Sequence, residues 1–97
     1  MERPCFEWDP AKSLANEAKH GVSFHEAASV FEDEHALLIH DPAHSTTEER
    51  FILLGLSVRP RILVVVHCER EDGSILRIIS ARPATRHERS QYRARRL

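Results

Sequence analysis

The sequence is poor in the residues that mark several large classes of protein. Its two cysteines, Cys5 and Cys68, stand far apart and outside any C-x-x-C pattern, which favours a reduced, cytoplasmic protein. Its three glycines form no phosphate loop and no nucleotide fingerprint, and G-x-S-x-G is absent. These absences argue against redox and serine-hydrolase chemistry, and we expect no cofactor.

Long apolar runs are also missing from the chain. No segment is long and apolar enough to cross a bilayer, so we expect no contact with a membrane. The first five residues lead straight into a Phe-Glu-Trp segment, so we also expect no signal peptide. The 97 residues predict a single domain, residues 1–97, with a thin hydrophobic core.

Charge is abundant, and it is unevenly distributed. Residues 1–76 carry seven basic and fourteen acidic side chains, whereas residues 77–97 carry seven arginines and one acid, Glu88. The formal net charge of −1 therefore hides −7 in the first part and +6 in the second. A basic cluster of this kind attracts phosphates or an acidic partner segment.

Local patterns predict an α+β fold with a short strand at residues 6–8, two helices, four strands and a C-terminal helix. The four later strands are expected at residues 36–40, 49–56, 62–69 and 74–82. Their short connections predict a four-stranded antiparallel meander with the helices packed against one face. The apolar run at residues 62–66 predicts a central strand that is covered on both faces.

Capping signals predict where the helices begin and end. Asp9 suits the N-cap, Pro10 the first position and Gly21 the C′ position of a helix that ends near Lys19-His20. The side chains expected to point inward from this helix are Leu14, Ala15 and Ala18. Capping boxes, in which a hydroxyl and a carboxylate satisfy each other's backbone amides, are predicted at Ser23–Glu26 and Thr85–Glu88.

Arginine is the obvious residue for chemistry on the predicted sheet, because its planar guanidinium stays charged and matches phosphate oxygens. Strict alternation in the last strand places Arg77 on the face of Ile79 and Arg82 on that of Ser80, although Arg82 lies where the strand ends and its head can reach either side. Together with Arg50, three converging arginines would stabilise a phosphoryl-transfer transition state. The alternative is a set of solvated arginines paired with Glu48, Glu49 or Glu69.

Lysine and histidine offer groups for proton transfer. Lys19 and His20 suit either the cation-favouring end of the first helix or, for His20, proton transfer near neutral pH. Lys12 is a further cation on that helix. His67, at the end of the predicted central strand, is expected to be a hydrogen-bonded edge residue unless it faces the arginines, where it would compete with His20.

A metal site is not expected, because the candidate ligands match no tight motif. These candidates are His35, His40, Asp41 and His44.

The C-terminal helix carries arginines at helical spacing. They are Arg86, Arg89, Arg93 and Arg96, with Arg95 beside them. Because like charges at neighbouring helical positions repel each other, we expect something negative to bind there. Two interpretations stay open: sequence-independent contacts to an RNA backbone, or docking of an acidic partner with Tyr92 as an aromatic anchor.

Motifs over residues 6–92 resemble those of the BrnT-type toxins. The longest are FEWD at residues 6–9, KHGV at 19–22 and RIISAR at 77–82. The others are Lys12, Asn16, Phe24, Glu26-Ala27, Val30-Phe31-Glu32-Asp33, Glu49-Arg50, Gly55, Ala84-Thr85, Glu88-Arg89 and Tyr92. The resemblance implies a RelE/ParE-like fold and the toxin of a type II toxin–antitoxin system, a ribonuclease that arrests translation.

The resemblance also implies partners. They are an RNA substrate and a BrnA-like antitoxin with a ribbon-helix-helix DNA-binding part, whose complex with the toxin represses its own operon. Operator DNA would be bound only through that antitoxin, and the complex would hold a homodimer of toxins.

The active surface that the resemblance implies is formed by Lys12, Lys19, His20, Arg50, Arg77 and Arg82. On this hypothesis the RNA 2′-OH attacks the adjacent phosphate without a metal, Lys19 or His20 assists proton transfer, and the three arginines stabilise the transition state. The residues expected to bind the substrate are Lys12, Arg86, Arg89 and Arg93. The alternative is a non-catalytic binding module of the same fold, or an inhibitor of a protein target such as DNA gyrase.

Overall fold

A computed structural model describes residues 4–44 and 48–96 of the chain. Its five strands are β1 (Cys5–Glu7), β2 (Leu37–His40), β3 (Glu49–Leu56), β4 (Ile62–Arg70) and β5 (Ile75–Pro83). Its three α-helices are α1 (Pro10–His20), α2 (Phe24–Ser29) and α3 (Arg86–Arg96). No helix in this part of the chain is long and apolar enough to span a membrane.

The predicted helix caps are present, with one exception. The Asp9 carboxylate accepts a hydrogen bond from the Ala11 amide, and Gly21 ends α1 with φ of 71°, in the left-handed region that suits glycine. The box at Thr85 and Glu88 closes in both directions, at 2.8 and 3.2 Å. At Ser23 only half of the box forms, because its hydroxyl accepts from the Glu26 amide while the Glu26 carboxylate turns to other partners.

The sheet has five strands in the order β1-β5-β4-β3-β2. The antiparallel meander of β2 to β5 is as predicted, with β4 at the centre, but the count of four strands is wrong. The short first strand joins the sheet, because β1 pairs in parallel with β5, Phe6 opposite Leu76. This pairing ends at Arg77, and among residues 4–44 and 48–96 no other strand lies beside the rest of β5 on that edge.

Helices cover both faces of the sheet, and the prediction that all would pack on one face is wrong. Phe24 and Ala27 of α2 pack with Leu63 and Val65 of β4 on one face. On the other face Tyr92 of α3 packs in a smaller apolar cluster, whose other buried members are Leu54, Ile62, Val64 and Ala84. The continuous apolar run of β4 supplies residues to both layers, as burial on two faces requires.

The inward side of α1 is polar. Leu14, Ala15 and Ala18, predicted to point inward, are exposed, Leu14 to 71%. The buried residue is Asn16, whose side-chain amide donates to the carbonyls of Val22 (2.9 Å) and Ala81 (2.8 Å) and accepts from the Ala81 amide (3.1 Å). Asn16 thus provides hydrogen bonds for the backbone of Ala81, on the edge of β5 beyond the end of β1. These bonds also fix α1 against that edge.

His67 is a buried polar residue that contacts Phe31 at the larger core. Its ring is fully buried, edge-on to Phe31 at 4.8 Å between ring centroids and stacked on Phe51 at 5.7 Å. Neither ring nitrogen has a hydrogen-bond partner among the described residues, and the Glu69 carboxylate is 3.6 Å from Nε2. The prediction of a hydrogen-bonded edge histidine is therefore wrong. Burial lowers the pKa of His67, although Glu69 acts in the opposite direction.

Replacing Asn16 with Leu should destabilise the fold by about 3 kcal/mol, because the Ala81 amide and carbonyl would remain buried without partners. The free energy of unfolding in urea measures this, with Glu17→Ala, an exposed change on the same helix, as the control. Equal stability of the two variants would show that Asn16 does not fix α1.

The stability of the chain should fall as the pH drops below about 6.5, the usual pKa of histidine. Because the pKa of His67 is lower in the folded state, the unfolded state binds the extra proton, and stability is complete only above that pH. Urea unfolding at pH 7.5 and 5.0 should therefore show a smaller loss for His67→Phe than for the wild type. His87→Gln, an exposed change, is the control. An equal loss in His67→Phe would contradict the assignment.

Candidate nucleic-acid interface

Arg77 and Arg82, which alternation places on opposite faces of β5, lie on the same face. Arg77 is opposite Cys68 and Arg82 is opposite Val64. Cys68 and Val64 are four residues apart on β4, so their side chains project from the same side of the sheet. Residues directly opposite each other in antiparallel strands share a face, so the two arginines do as well.

The cause is a β-bulge in β5. Ile78 is opposite His67 and Ser80 is opposite Val66, so two consecutive residues of β4 face two residues of β5 that are separated by Ile79. Ile79 is the additional residue, and it shifts the alternation by one position. The expectation that Arg77 and Arg82 lie on opposite faces of β5 is therefore wrong. No local sequence pattern indicates the bulge that brings them together.

Two further arginines join this face. Arg50 of β3 is also opposite Cys68, and Arg70 lies two residues beyond Cys68 on β4. We call the surface formed by Arg50, Arg70, Arg77 and Arg82 the arginine face. Arg70 was not predicted as a site residue from the sequence, although its spacing of two residues from Cys68 in a regular strand places it on the same face.

Glu7 and Glu48 bind the guanidinium groups of Arg70 and Arg77. Glu7 Oε1 accepts from Arg70 Nη1 at 2.7 Å and from Arg77 Nη1 at 3.3 Å, and Glu48 accepts from Arg70 Nε. The hydrogen bond from Arg70 lowers the pKa of Glu48. Glu48 is one of the three acids expected to pair with Arg50, Arg77 or Arg82. In the structure it pairs instead with Arg70. Exposed pairs of this kind are weak, so a phosphate can replace the carboxylates.

Arg82 is held where β5 passes into α3. Its Nη1 and Nη2 donate to the two carboxylate oxygens of Glu88 at 2.8 and 2.9 Å, a fork that fixes the plane of the guanidinium. The hydrogen bonds from Arg82 lower the pKa of Glu88 to about 2. Because Glu88 also caps α3 through the Thr85 amide, the position of Arg82 is tied to the start of that helix.

The cations of α1 form a separate part of the candidate site. Lys12 and His20 lie four residues before and after Asn16, so they share the side of the helix that Asn16 fixes against β5. His20 is half-buried, whereas Lys12 and Lys19 are exposed. The structure thus places Lys12 and His20 on the side of α1 that faces the edge of β5 near Ala81. His67 projects from the face of the sheet opposite to the arginine face and does not compete with His20 there.

The arginines of α3 belong to the helix whose first turn binds Arg82 through Glu88. Arg86 is exposed, Arg93 is exposed beside the turn between β3 and β4, and Arg89 Nη1 donates to the Ala84 carbonyl at 2.8 Å. Tyr92 is 1% exposed, and its hydroxyl donates to Asp33 Oδ2 at 2.6 Å. Tyr92 therefore belongs to the core, and its proposed role as an anchor for a partner is wrong.

Two of the three histidines considered for a metal, His40 and His44, pair with acidic side chains. His40 Nε2 pairs with Glu49, and His44 Nδ1 lies 2.9 Å from Asp41 Oδ2. Within residues 4–44 and 48–96, no three His, Cys, Asp or Glu side chains converge in a way that would hold a metal ion.

Comparisons with known proteins identify relatives of this architecture. A family model described as "Ribonuclease toxin, BrnT, of type II toxin-antitoxin system" matches residues 8–88. The crystal structure of the Brucella abortus ribonuclease toxin BrnT is similar, with a TM-score of 0.62 and 22% sequence identity. The similarity covers 87% of this chain and 100% of that one, and it shows a shared fold. No curated protein sequence matches the chain.

Proposed function

Because this chain belongs to the BrnT family of type II toxin–antitoxin ribonuclease toxins, we propose that its arginine face binds RNA and promotes cleavage of the backbone. The observation that carries this proposal is the bulge at Ile79, which gathers Arg77 and Arg82 on the face of Arg50. Guanidinium groups on one face of the sheet would bind the RNA backbone and stabilise the negative charge that develops on a phosphate in the transition state.

The nucleophile would come from the substrate. Cys68 lies between Arg50 and Arg77, but it is buried, and burial raises the pKa of its thiol, so it is a poor nucleophile. In our proposal the RNA 2′-OH loses its proton and attacks the adjacent phosphorus, the bond to the 5′ oxygen breaks, and that oxygen takes up a proton. The products are a 2′,3′-cyclic phosphate and a free 5′-OH, and the reaction needs no metal.

Lys19 and His20 are the proposed proton-transfer groups, and Lys12 a contact to the RNA backbone. Their support is the position of α1 beside β5, because Asn16 of α1 binds Ala81 and the same strand carries Arg77 and Arg82. A histidine titrates in the range that proton transfer at neutral pH requires. RNA that lies across the arginine face toward α1 would reach both groups.

The biological proposal follows from the family. The chain would act in the cytoplasm on RNA, arrest translation, and be neutralised by a BrnA-like antitoxin with a ribbon-helix-helix part. The complex would contain a homodimer of toxins, bind operator DNA through the antitoxin, and repress its own operon. The finer assignment of the fold as RelE/ParE-like belongs to the same proposal, and the meander with two N-terminal helices and one C-terminal helix supports it.

The double variant Arg77→Ala/Arg82→Ala should lose at least a hundredfold in the rate of RNA cleavage, because each donor aimed at a developing charge contributes about 10²–10³. Purified protein is incubated with total RNA, with and without EDTA, and cleavage is followed on gels. Arg59→Ala/Arg95→Ala removes the same charge from exposed positions and is the matched control.

Cleavage that persists in EDTA and disappears only in the arginine-face variant would support a metal-independent ribonuclease. Cleavage by the folded Arg77/Arg82 variant at the wild-type rate would remove these residues from the mechanism. Growth arrest on induction with intact RNA would instead favour the non-catalytic or gyrase-type alternative.

A further inference from the structure

A second basic surface lies at the other end of the sheet from Arg50. A groove of about 370 Å³ runs between α3 and the turn that joins β3 to β4. Its lining combines four apolar residues, Leu56, Pro60, Ile62 and Pro83, with Arg89 and Arg93. Leu56 is six residues along β3 from Arg50, about 20 Å at the rise of a strand, so the groove is distant from Arg50, although its lining residue Pro83 directly follows Arg82.

The described residues that line this groove include three arginines and no carboxylate that would neutralise them. A third lining arginine, Arg61, donates from Nε and Nη2 to the buried Glu26 carboxylate at 2.7 and 2.6 Å. Arg89 and Arg93 remain, and no acidic residue is among the described residues that line the groove. Arg89 uses one nitrogen to cap the Ala84 carbonyl, which leaves its other donors for a ligand.

The composition of the groove favours a protein segment over RNA. Proteins that hold single-stranded RNA stack its bases on exposed aromatic rings, and the aromatic residue here, Tyr92, is buried with its hydroxyl bonded to Asp33. Apolar residues next to charged ones are usual in a protein interface, in which an apolar anchor is surrounded by polar contacts. A volume of this size lies within the ~300–1,000 Å³ of ligand pockets.

We propose that this groove binds an acidic segment of the antitoxin. An apolar side chain of that segment would contact the apolar lining residues, and its carboxylates would bind Arg89 and Arg93. This inference rests on the proposed function, because it takes the partner from the toxin–antitoxin system. An antitoxin segment in this groove would not compete directly with RNA for Arg50 and Arg77. Substitutions that weaken the complex with the antitoxin should therefore differ from those that abolish RNA cleavage.

Reversing the charge of one lining arginine, Arg93, tests this proposal. Arg93→Glu is compared with Arg86→Glu, the same change on an exposed residue of α3 that does not line the groove, and with Arg93→Lys. The probe is the purified product of the open reading frame adjacent to the gene, and its affinity for each variant is measured by calorimetry. We expect Arg93→Glu to weaken binding at least tenfold, Arg86→Glu by less than threefold, and Arg93→Lys to bind like the wild type.

The outcomes separate this inference from the proposed function. Equal affinity of Arg93→Glu and Arg86→Glu, with both folded by circular dichroism, would overturn the groove as the docking site. Equal loss of RNA cleavage in both, with the affinity for the probe unchanged, would assign α3 to RNA and also overturn it. Absence of binding by the wild type, while RNA is still cleaved, would overturn the groove and the antitoxin partner but leave the ribonuclease intact.

Discussion

The candidate site depends on one irregularity of the backbone, the additional residue Ile79 in β5. In a regular strand either Arg77 or Arg82 would point into the apolar layer under α2, where an unpaired charge is very costly. The bulge removes that conflict and brings both arginines to the solvent-facing part of the other face. Asn16 then holds the Ala81 amide and carbonyl two residues further on, so the strand is fixed directly after the bulge.

The charges on this face are arranged before any ligand arrives. Glu7 fixes Arg70 and Arg77, while Glu88 fixes both the plane of Arg82 and the first turn of α3. Such exposed pairs contribute little to stability, but they keep like charges close together and oriented. When a phosphate replaces a carboxylate, the donors need little rearrangement, which is the condition for electrostatic stabilisation of a transition state.

Local features could be predicted from the sequence, whereas the contacts between distant segments could not. The bounds of β3 and α1 and the box at Thr85 depend on neighbouring residues, and the structure has them as predicted. Asn16 binds a residue 65 positions away, and Glu26 leaves its own helix for Arg61, 35 positions away. Arg50, Arg77 and Arg82 could be selected because arginine suits phosphate, but their common face required the register of three strands.

The most direct test of this account is an NMR titration of the arginine side chains with a 2′-O-methyl oligoribonucleotide, which the proposed mechanism cannot cleave. The account predicts that the Nε–H signals of Arg50, Arg77 and Arg82 shift together and saturate at one RNA concentration. Shifts confined to Arg86, Arg89 and Arg93, or no shift at the three sheet arginines, would contradict the central claim that the bulge assembles an RNA-binding face.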